Sequence, residues 1–221
     1  MICVPILARN NAEALKKMVE AARLADVMEI RLDLMESFDI NEILQSATKP
    51  VIVTYRSKRE GGSGSAHHET RVRHLSRAIE LGADFVDVEY SLPLEFRHRL
   101  FQVFGSSRLI LSTHLSNMTP SRENLEELFR KMAATGADIV KIVTHAREPS
   151  DNLSVLALIP LARKLGIKII AFSMGPVGRM SRIFTLHMGG YLTFASLGTG
   201  EESASGQIPV REMKRILEIL S

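Results

Sequence analysis

The sequence predicts a single-domain (β/α)8 TIM barrel, and three observations predict it. Eight short apolar stretches alternate with longer amphipathic segments along the 221-residue chain, the pattern of repeated strand–helix units. Helix-to-strand turns such as Leu81-Gly82-Ala83-Asp84, Thr135-Gly136-Ala137-Asp138 and Lys164-Leu165-Gly166-Ile167 carry a glycine suited to a helix C-cap. No shift of composition or polar linker divides positions 1–221, so one domain is expected. A doubly wound open sheet is the alternative. Its dinucleotide-like stretch, Gly175-Pro176-Val177-Gly178, comes late and lacks the required glycine spacing.

Strands are expected near 2–7, 27–32, 50–55, 84–89, 108–113, 138–143, 167–172 and 191–195. Helices are expected near 11–25, 39–47, 66–81, 92–104, 121–135, 151–165, 177–188 and 209–220. Strand residues two apart share a face, so parity tells which side chains point to the barrel axis. The first strand is apolar. In the second, Met28, Ile30 and Leu32 face the helices, leaving Glu29, Arg31 and Asp33 inward. The third turns Thr54 and Arg56 inward, the fourth Asp87 and Glu89, the fifth Ser112 and His114. The sixth, Asp138-Ile139-Val140-Lys141-Ile142-Val143, places a lysine inside a β-branched run. In a barrel, reacting groups gather at the C-terminal ends of the strands, where all of these polar residues fall.

Lys141 is the most informative of them. An ammonium inside a buried strand loses hydration worth several kcal/mol unless it is paired or deprotonated. Buried lysines with a job attack carbonyls and form Schiff bases. A buried ion pair or a snorkelling strand-end lysine is the other reading. With Glu29, Arg31, Arg56 and His114 at the same mouth, stability alone is a poor explanation, because each buried charge carries a desolvation cost.

Composition bounds the rest. Hydrophobic residues make up 45% and charged residues 24%, with a formal net charge of +3 and no dense basic run, so neither nucleic acid nor membrane is an expected partner. Cys3 is the lone cysteine, which excludes an intrachain disulfide and fits a reducing, cytoplasmic setting. His67-His68-Glu69 reads as a solvated helix start rather than a metal site, and His74, His98, His145 and His187 as surface or helix positions. Gly61-Gly62-Ser63-Gly64 and Gly198-Thr199-Gly200 read as mobile loop hinges.

Six segments follow one another in order: Glu29-Ile30-Arg31-Leu32-Asp33; Arg56-Ser57-Lys58-Arg59-Glu60-Gly61-Gly62; His114; Asp138-Ile139-Val140-Lys141-Ile142; the run from Ser173 to Arg182; and Ser203-Ala204-Ser205-Gly206-Gln207-Ile208. Together they resemble the type I 3-dehydroquinate dehydratases of the shikimate pathway. The resemblance spans Val4 to Val210. It implies that Lys141 forms an imine with the C3 ketone of 3-dehydroquinate, with His114 as general acid/base and Glu60 positioning its imidazole. It further implies that Arg179 grips the ring carboxylate, that Glu29, Arg31 and Arg56 hold hydroxyls and organise charge, and that Ser203 and Gln207 lie on a closing loop. Arg182 is read as structural. The expected partners are the substrate and a second copy in a homodimer. Leu115-Ser116 after the histidine, Ser205 before Gly206-Gln207, and the absence of an N-terminal hairpin depart from the family pattern.

The chemistry is coherent with these residue types. Loss of a proton α to a ketone leaves a carbanion, which a protonated imine absorbs as an enamine, so no metal or organic cofactor is required. A free lysine gives up its proton at neutral pH at a cost of about 4.6 kcal/mol, which burial beside Arg31, Arg56 and Arg179 is expected to reduce. Replacing Lys141 by Met would test whether filling the site apolarly raises stability, as removal of a buried charge often does. A class I aldolase, which would need a phosphate site, and a non-catalytic sugar-acid-binding barrel are the rival readings.

Overall fold

The computed structural model describes residues 1–103 and 105–220. Phe104, the last residue of the helix expected over 92–104, and Ser221 lie outside the described residues. The chain alternates β1 (Ile2–Ile6), α1 (Asn11–Ala21), β2 (Val27–Arg31), α2 (Ile40–Gln45), β3 (Val51–Thr54), α3 (His68–Glu80), β4 (Phe85–Glu89) and α4 (Leu94–Phe101). It continues with β5 (Arg108–His114), α5 (Arg122–Ala133), β6 (Ile139–His145), α6 (Pro149–Leu156), α7 (Leu158–Lys164), β7 (Lys168–Met174), α8 (Arg179–His187), β8 (Thr193–Phe194) and α9 (Val210–Leu220).

All strand pairs are parallel, in the order β7-β6-β5-β4-β3-β2-β1-β8. The seam between β7 and β8 is bridged just before β8, where Tyr191 N–H donates to Ile169 O at 2.7 Å. The result is the nearly closed (β/α)8 barrel that the alternating pattern predicts. Short polar side chains start several helices. Asn10, Asp39 and Ser121 accept from first-turn N–H groups of α1, α2 and α5, and Glu148 with Asp151 forms a capping box on α6.

β6 and β7 each run two residues past their expected ends, and two further elements differ in form. The helix expected over 151–165 is two helices, α6 and α7, that meet at Ala157. Pro160 has no N–H to offer the Leu156 carbonyl, and its ring crowds that carbonyl, so one continuous helix cannot form. The strand expected over 191–195 pairs only at Thr193 and Phe194, against Ile2 and Cys3. Ser196 bridges Pro209 instead.

The register stacks the inward side chains in three tiers. Val27, Ile52, Phe85, Ile110, Ile139 and Ile170 form an apolar floor inside the barrel. Arg108 covers it from below, with its guanidinium 4.1 Å from the Phe85 ring and Nη1 donating to the Tyr191 hydroxyl at 2.9 Å. Two residues on along each strand come Glu29, Thr54, Asp87, Ser112, Lys141 and Phe172. Two further come Arg31, Arg56, Glu89, His114, Val143 and Met174. The opposite parity, including Met28, Ile30, Val53, Val86, Leu111, Val140 and Ala171, packs against the helices as the main core. An apolar floor beneath a charged mouth is what positions the site.

Candidate active site

Lys141 is 3% exposed, and its Nζ donates to Asp87 Oδ2 at 3.0 Å, with Glu29 Oε1 at 3.8 Å. The Phe194 ring lies 4.3 Å from Nζ on the other side. The nearest charges to the amine are therefore carboxylates, not the arginines expected from the sequence. Two of them, Arg31 and Arg56, form the next ring outward. Arg56 Nη1 donates to Glu60 Oε2, Glu89 Oε1 and Ser112 Oγ at 3.2, 3.1 and 3.0 Å, and Nη2 to Asp87 Oδ1 at 2.9 Å. Arg31 is held by Asp33 through two bonds at 2.8 and 2.7 Å.

Asp87 is the hinge of this network. Burial alone would raise its carboxyl, but Arg56 and Lys141 overcome that and hold it down at about 2. It stays an anion facing Lys141. Thr54 Oγ1 donates to Glu29 Oε1 at 2.9 Å, fixing the second carboxylate near the amine. Arg71, from α3, pairs with Glu89 from behind. Nothing in strand parity could place that arginine. Its position one turn before Leu75 on the apolar stripe of α3 is the signal that it is buried.

His114 ends β5 at the mouth. Its Nδ1 lies 3.2 Å from Glu60 Oε2, and its backbone N–H donates to the same oxygen at 3.0 Å. A carboxylate accepts only, so Nδ1 carries the proton and Nε2 is left as a base. Burial, then Arg56, Lys141, Arg31 and Arg182, hold the imidazole well below the ordinary histidine value. Burial pushes the Glu60 carboxyl up against the pull of Arg56, with Glu89 adding to the rise.

Glu60 sits where it does because the loop after β3 is tied down. Ser63 N–H and Arg56 N–H both donate to Asp33, Gly62 N–H to Ser57 O, and Gly64 N–H to Arg56 O. Gly61 takes φ +81, a left-handed turn that favours glycine, and a Cβ on Gly62 would collide with Arg56. These bonds hold the loop against the ends of β2 and β3 and set Glu60 at the mouth.

The mouth opens on a cavity of about 360 Å³. Glu29, Arg31, Arg56, Glu60, His114, Lys141, Ser203 and Gln207 all line it. Arg179 does not. It is exposed at the first position of α8, so the carboxylate grip expected of it is corrected. Arg182, one turn further and 1% exposed, points in instead. Its Nη2 donates to Ser205 O at 3.3 Å, its guanidinium lies 4.5 Å from the Phe172 ring, and its buried Nε has no partner. Burial with no carboxylate beside it pushes Arg182 down to about 9, leaving it a cation at neutral pH. His145, read from the sequence as a surface position, also lines the cavity.

The segment 198–207 closes the other side. Ser203 N–H donates to Gln207 Oε1 at 2.7 Å, Gln207 Nε2 to Ser203 Oγ at 3.0 Å, and Gly175 N–H to Ser205 O at 3.1 Å. Away from the mouth, Glu69 of the His67-His68-Glu69 stretch is engaged by Arg99 through two bonds of 2.7 Å, and His68 packs on Phe96. Among the described residues no helix is long and apolar enough to cross a membrane.

A buried amine, a carboxylate-held imidazole and a carboxylate-free guanidinium in one cavity make a site for carbonyl chemistry on an anion. Comparison with known proteins agrees. The family model for type I 3-dehydroquinase matches residues 2–221. The 3-dehydroquinate dehydratase of Pyrococcus abyssi is 36% identical over 220 residues, covering all of this chain and 98% of that one. The crystal structure of the Geobacillus kaustophilus 3-dehydroquinate dehydratase superposes with a TM-score of 0.88 at 30% identity, covering 99% of this chain and 90% of that one. The Clostridium difficile type I enzyme, solved with covalently modified comenic acid, superposes at 0.86 and 27% identity, covering 99% and 91%. On its fold, its site and these whole-length matches, the chain belongs to the type I 3-dehydroquinase family.

Proposed function

We propose that this enzyme removes water from 3-dehydroquinate to give 3-dehydroshikimate, through an imine on Lys141. Arg182 carries the proposal. It is a deeply buried cation beside the reacting groups with no carboxylate of its own, and the planar ring carboxylate of the substrate matches its guanidinium fork. The neutral amine of Lys141 adds to the C3 carbonyl. The carbinolamine oxygen takes one proton from solvent and leaves as water, and the protonated imine remains. That proton is given back when the imine is finally hydrolysed. Asp87 and Glu29, already beside Nζ, balance the imine's positive charge.

Nε2 of His114 then takes the proton from the carbon between imine and tertiary hydroxyl, and the electrons move into an enamine. The same imidazole returns its proton to the departing hydroxyl, which leaves as water. Hydrolysis of the conjugated imine consumes the water released at the first step and frees Lys141. The net change is the loss of one water. Arg31, Arg56 and Glu29 hold the ring hydroxyls. Assembly as a cytoplasmic homodimer is part of the same proposal.

Ultraviolet absorbance of the conjugated enone, read after addition of 3-dehydroquinate, tests the reaction directly. Absorbance growth with this substrate, and no cleavage of phosphosugars, is expected. Aldol cleavage without enone formation would favour the aldolase reading. Arg182→Ala should lower kcat/KM by roughly 10- to 150-fold, the worth of a hydrogen bond to a charged group. Unchanged kinetics would remove Arg182 from carboxylate binding.

Gln207 and Ser203 brace each other across the cavity's edge, so the 198–207 segment acts as the lid. Gln207→Ala should raise KM several-fold, and hydrogen exchange over 198–207 in the parent enzyme should slow when product binds. Equal exchange with and without product would contradict the lid.

A further inference from the structure

The mouth holds a second histidine that the reaction steps do not use. His145 ends β6 on the same face as Lys141 and Val143, and all three line the cavity. Four residues of strand carry it about 13 Å from Lys141 toward the opening. Its backbone is fixed from behind, with its N–H bonded to Met118 O at 3.5 Å and its carbonyl accepting from Thr119 Oγ1 at 3.0 Å. Its ring is half-buried and has no hydrogen-bond partner among the described residues.

The ring's surroundings say what it faces. Nε2 lies against Gly175, where an added Cβ would come within 3.1 Å of it. The Gly175 N–H is bonded to Ser205 O, and the same oxygen accepts from Arg182 Nη2. Imidazole and guanidinium thus converge on one junction between the loop after β7 and the lid segment. His114 differs in kind: its Nδ1 is committed to Glu60, and it stands level with Val143, one tier above Lys141 and one below His145.

We propose that His145 is a substrate-binding residue, a second donor to the ring carboxylate alongside Arg182, which sets affinity for the acid and takes no part in proton transfer. The proposal rests on the dehydratase reading. A neutral imidazole always keeps one N–H to donate, so the role needs no change of protonation. A substrate tethered at Lys141 and gripped by Arg182 presents its carboxylate toward the junction that His145 flanks.

Steady-state kinetics of His145→Ala, His145→Gln and His145→Phe test it, with inhibition by the product 3-dehydroshikimate and by its methyl ester. His145→Ala should raise KM about 2- to 13-fold, the range of one ordinary hydrogen bond, with kcat within about 2-fold. The inhibition constant of the acid should rise in parallel, whereas the ester should bind parent and variant alike. His145→Gln, which keeps a donor, should recover part of the affinity. His145→Phe, which keeps only the ring's bulk, should not. Unchanged KM in His145→Ala, equal weakening of acid and ester, or recovery by Phe as well as Gln would overturn the proposal. Borohydride trapping of the substrate on Lys141 in each variant separates the two levels. A trapped adduct with unchanged KM would remove His145 alone, and no adduct even in the parent enzyme would overturn the imine reading with it.

Discussion

Lys141→Ala is expected to lose turnover of 3-dehydroquinate by about 10,000-fold or more, because no other group can supply the imine. The loss should come without unfolding. Asp87 keeps Arg56 and Ser112 as partners when the amine is gone, so the network contracts around one missing cation and does not come apart. Lys141→Met is the control that separates chemistry from packing. Removal of a buried charge often stabilises a fold. The carboxylates at 3.0 and 3.8 Å reverse that tendency here, because an apolar side chain leaves two buried anions short of a partner. A thermal melt should therefore place Lys141→Met below the parent. A variant at position 141 with near-normal turnover would remove the lysine from the mechanism.

His114→Ala should cut kcat by about 100- to 10,000-fold, the usual range for a positioned acid/base. Imine formation should survive it, since the amine and its carboxylate partners are untouched. In the parent enzyme, burial and four nearby cations hold the imidazole well below the ordinary histidine value. The sign follows. Falling pH protonates Nε2 and removes the base, so kcat/KM should decline only well below pH 6.5, the ordinary histidine value. An acid limb at or above 6.5 that vanishes in His114→Ala would show that the cations do not act on this ring as the geometry requires. Loss of the acid limb without loss of rate would assign the proton transfer elsewhere.

Much of this site is legible in the sequence because strand parity is strict. A period of two carries Glu29, Arg31, Asp87, Glu89, Ser112, His114 and Lys141 to one face wherever the strand is regular. The misses fall where that rule stops. β6 runs on to His145, two residues beyond its expected end. His145 therefore falls outside the expected strand, and its shared face with Lys141 is invisible. Arg179 and Arg182 follow a glycine-rich loop, where neither strand nor helix parity is established until the first helical residue is known. The helix begins at Arg179, leaving that side chain on the outside and turning Arg182 inward one turn later. The neighbours of Lys141 are hidden for another reason. Parity says that Asp87 and Arg56 both point inward, but only the register decides which reaches the amine first.

The most direct measurement is the mass of the protein after borohydride is added in the presence of 3-dehydroquinate or product. Reduction of an imine leaves a stable secondary amine. The chain should gain the mass of one reduced adduct, and peptide mapping should place it on the segment containing Lys141. Borohydride without ligand should leave the mass unchanged, and Lys141→Ala should show no adduct. An adduct on another lysine, or an active enzyme that yields none, would contradict Lys141 as the nucleophile.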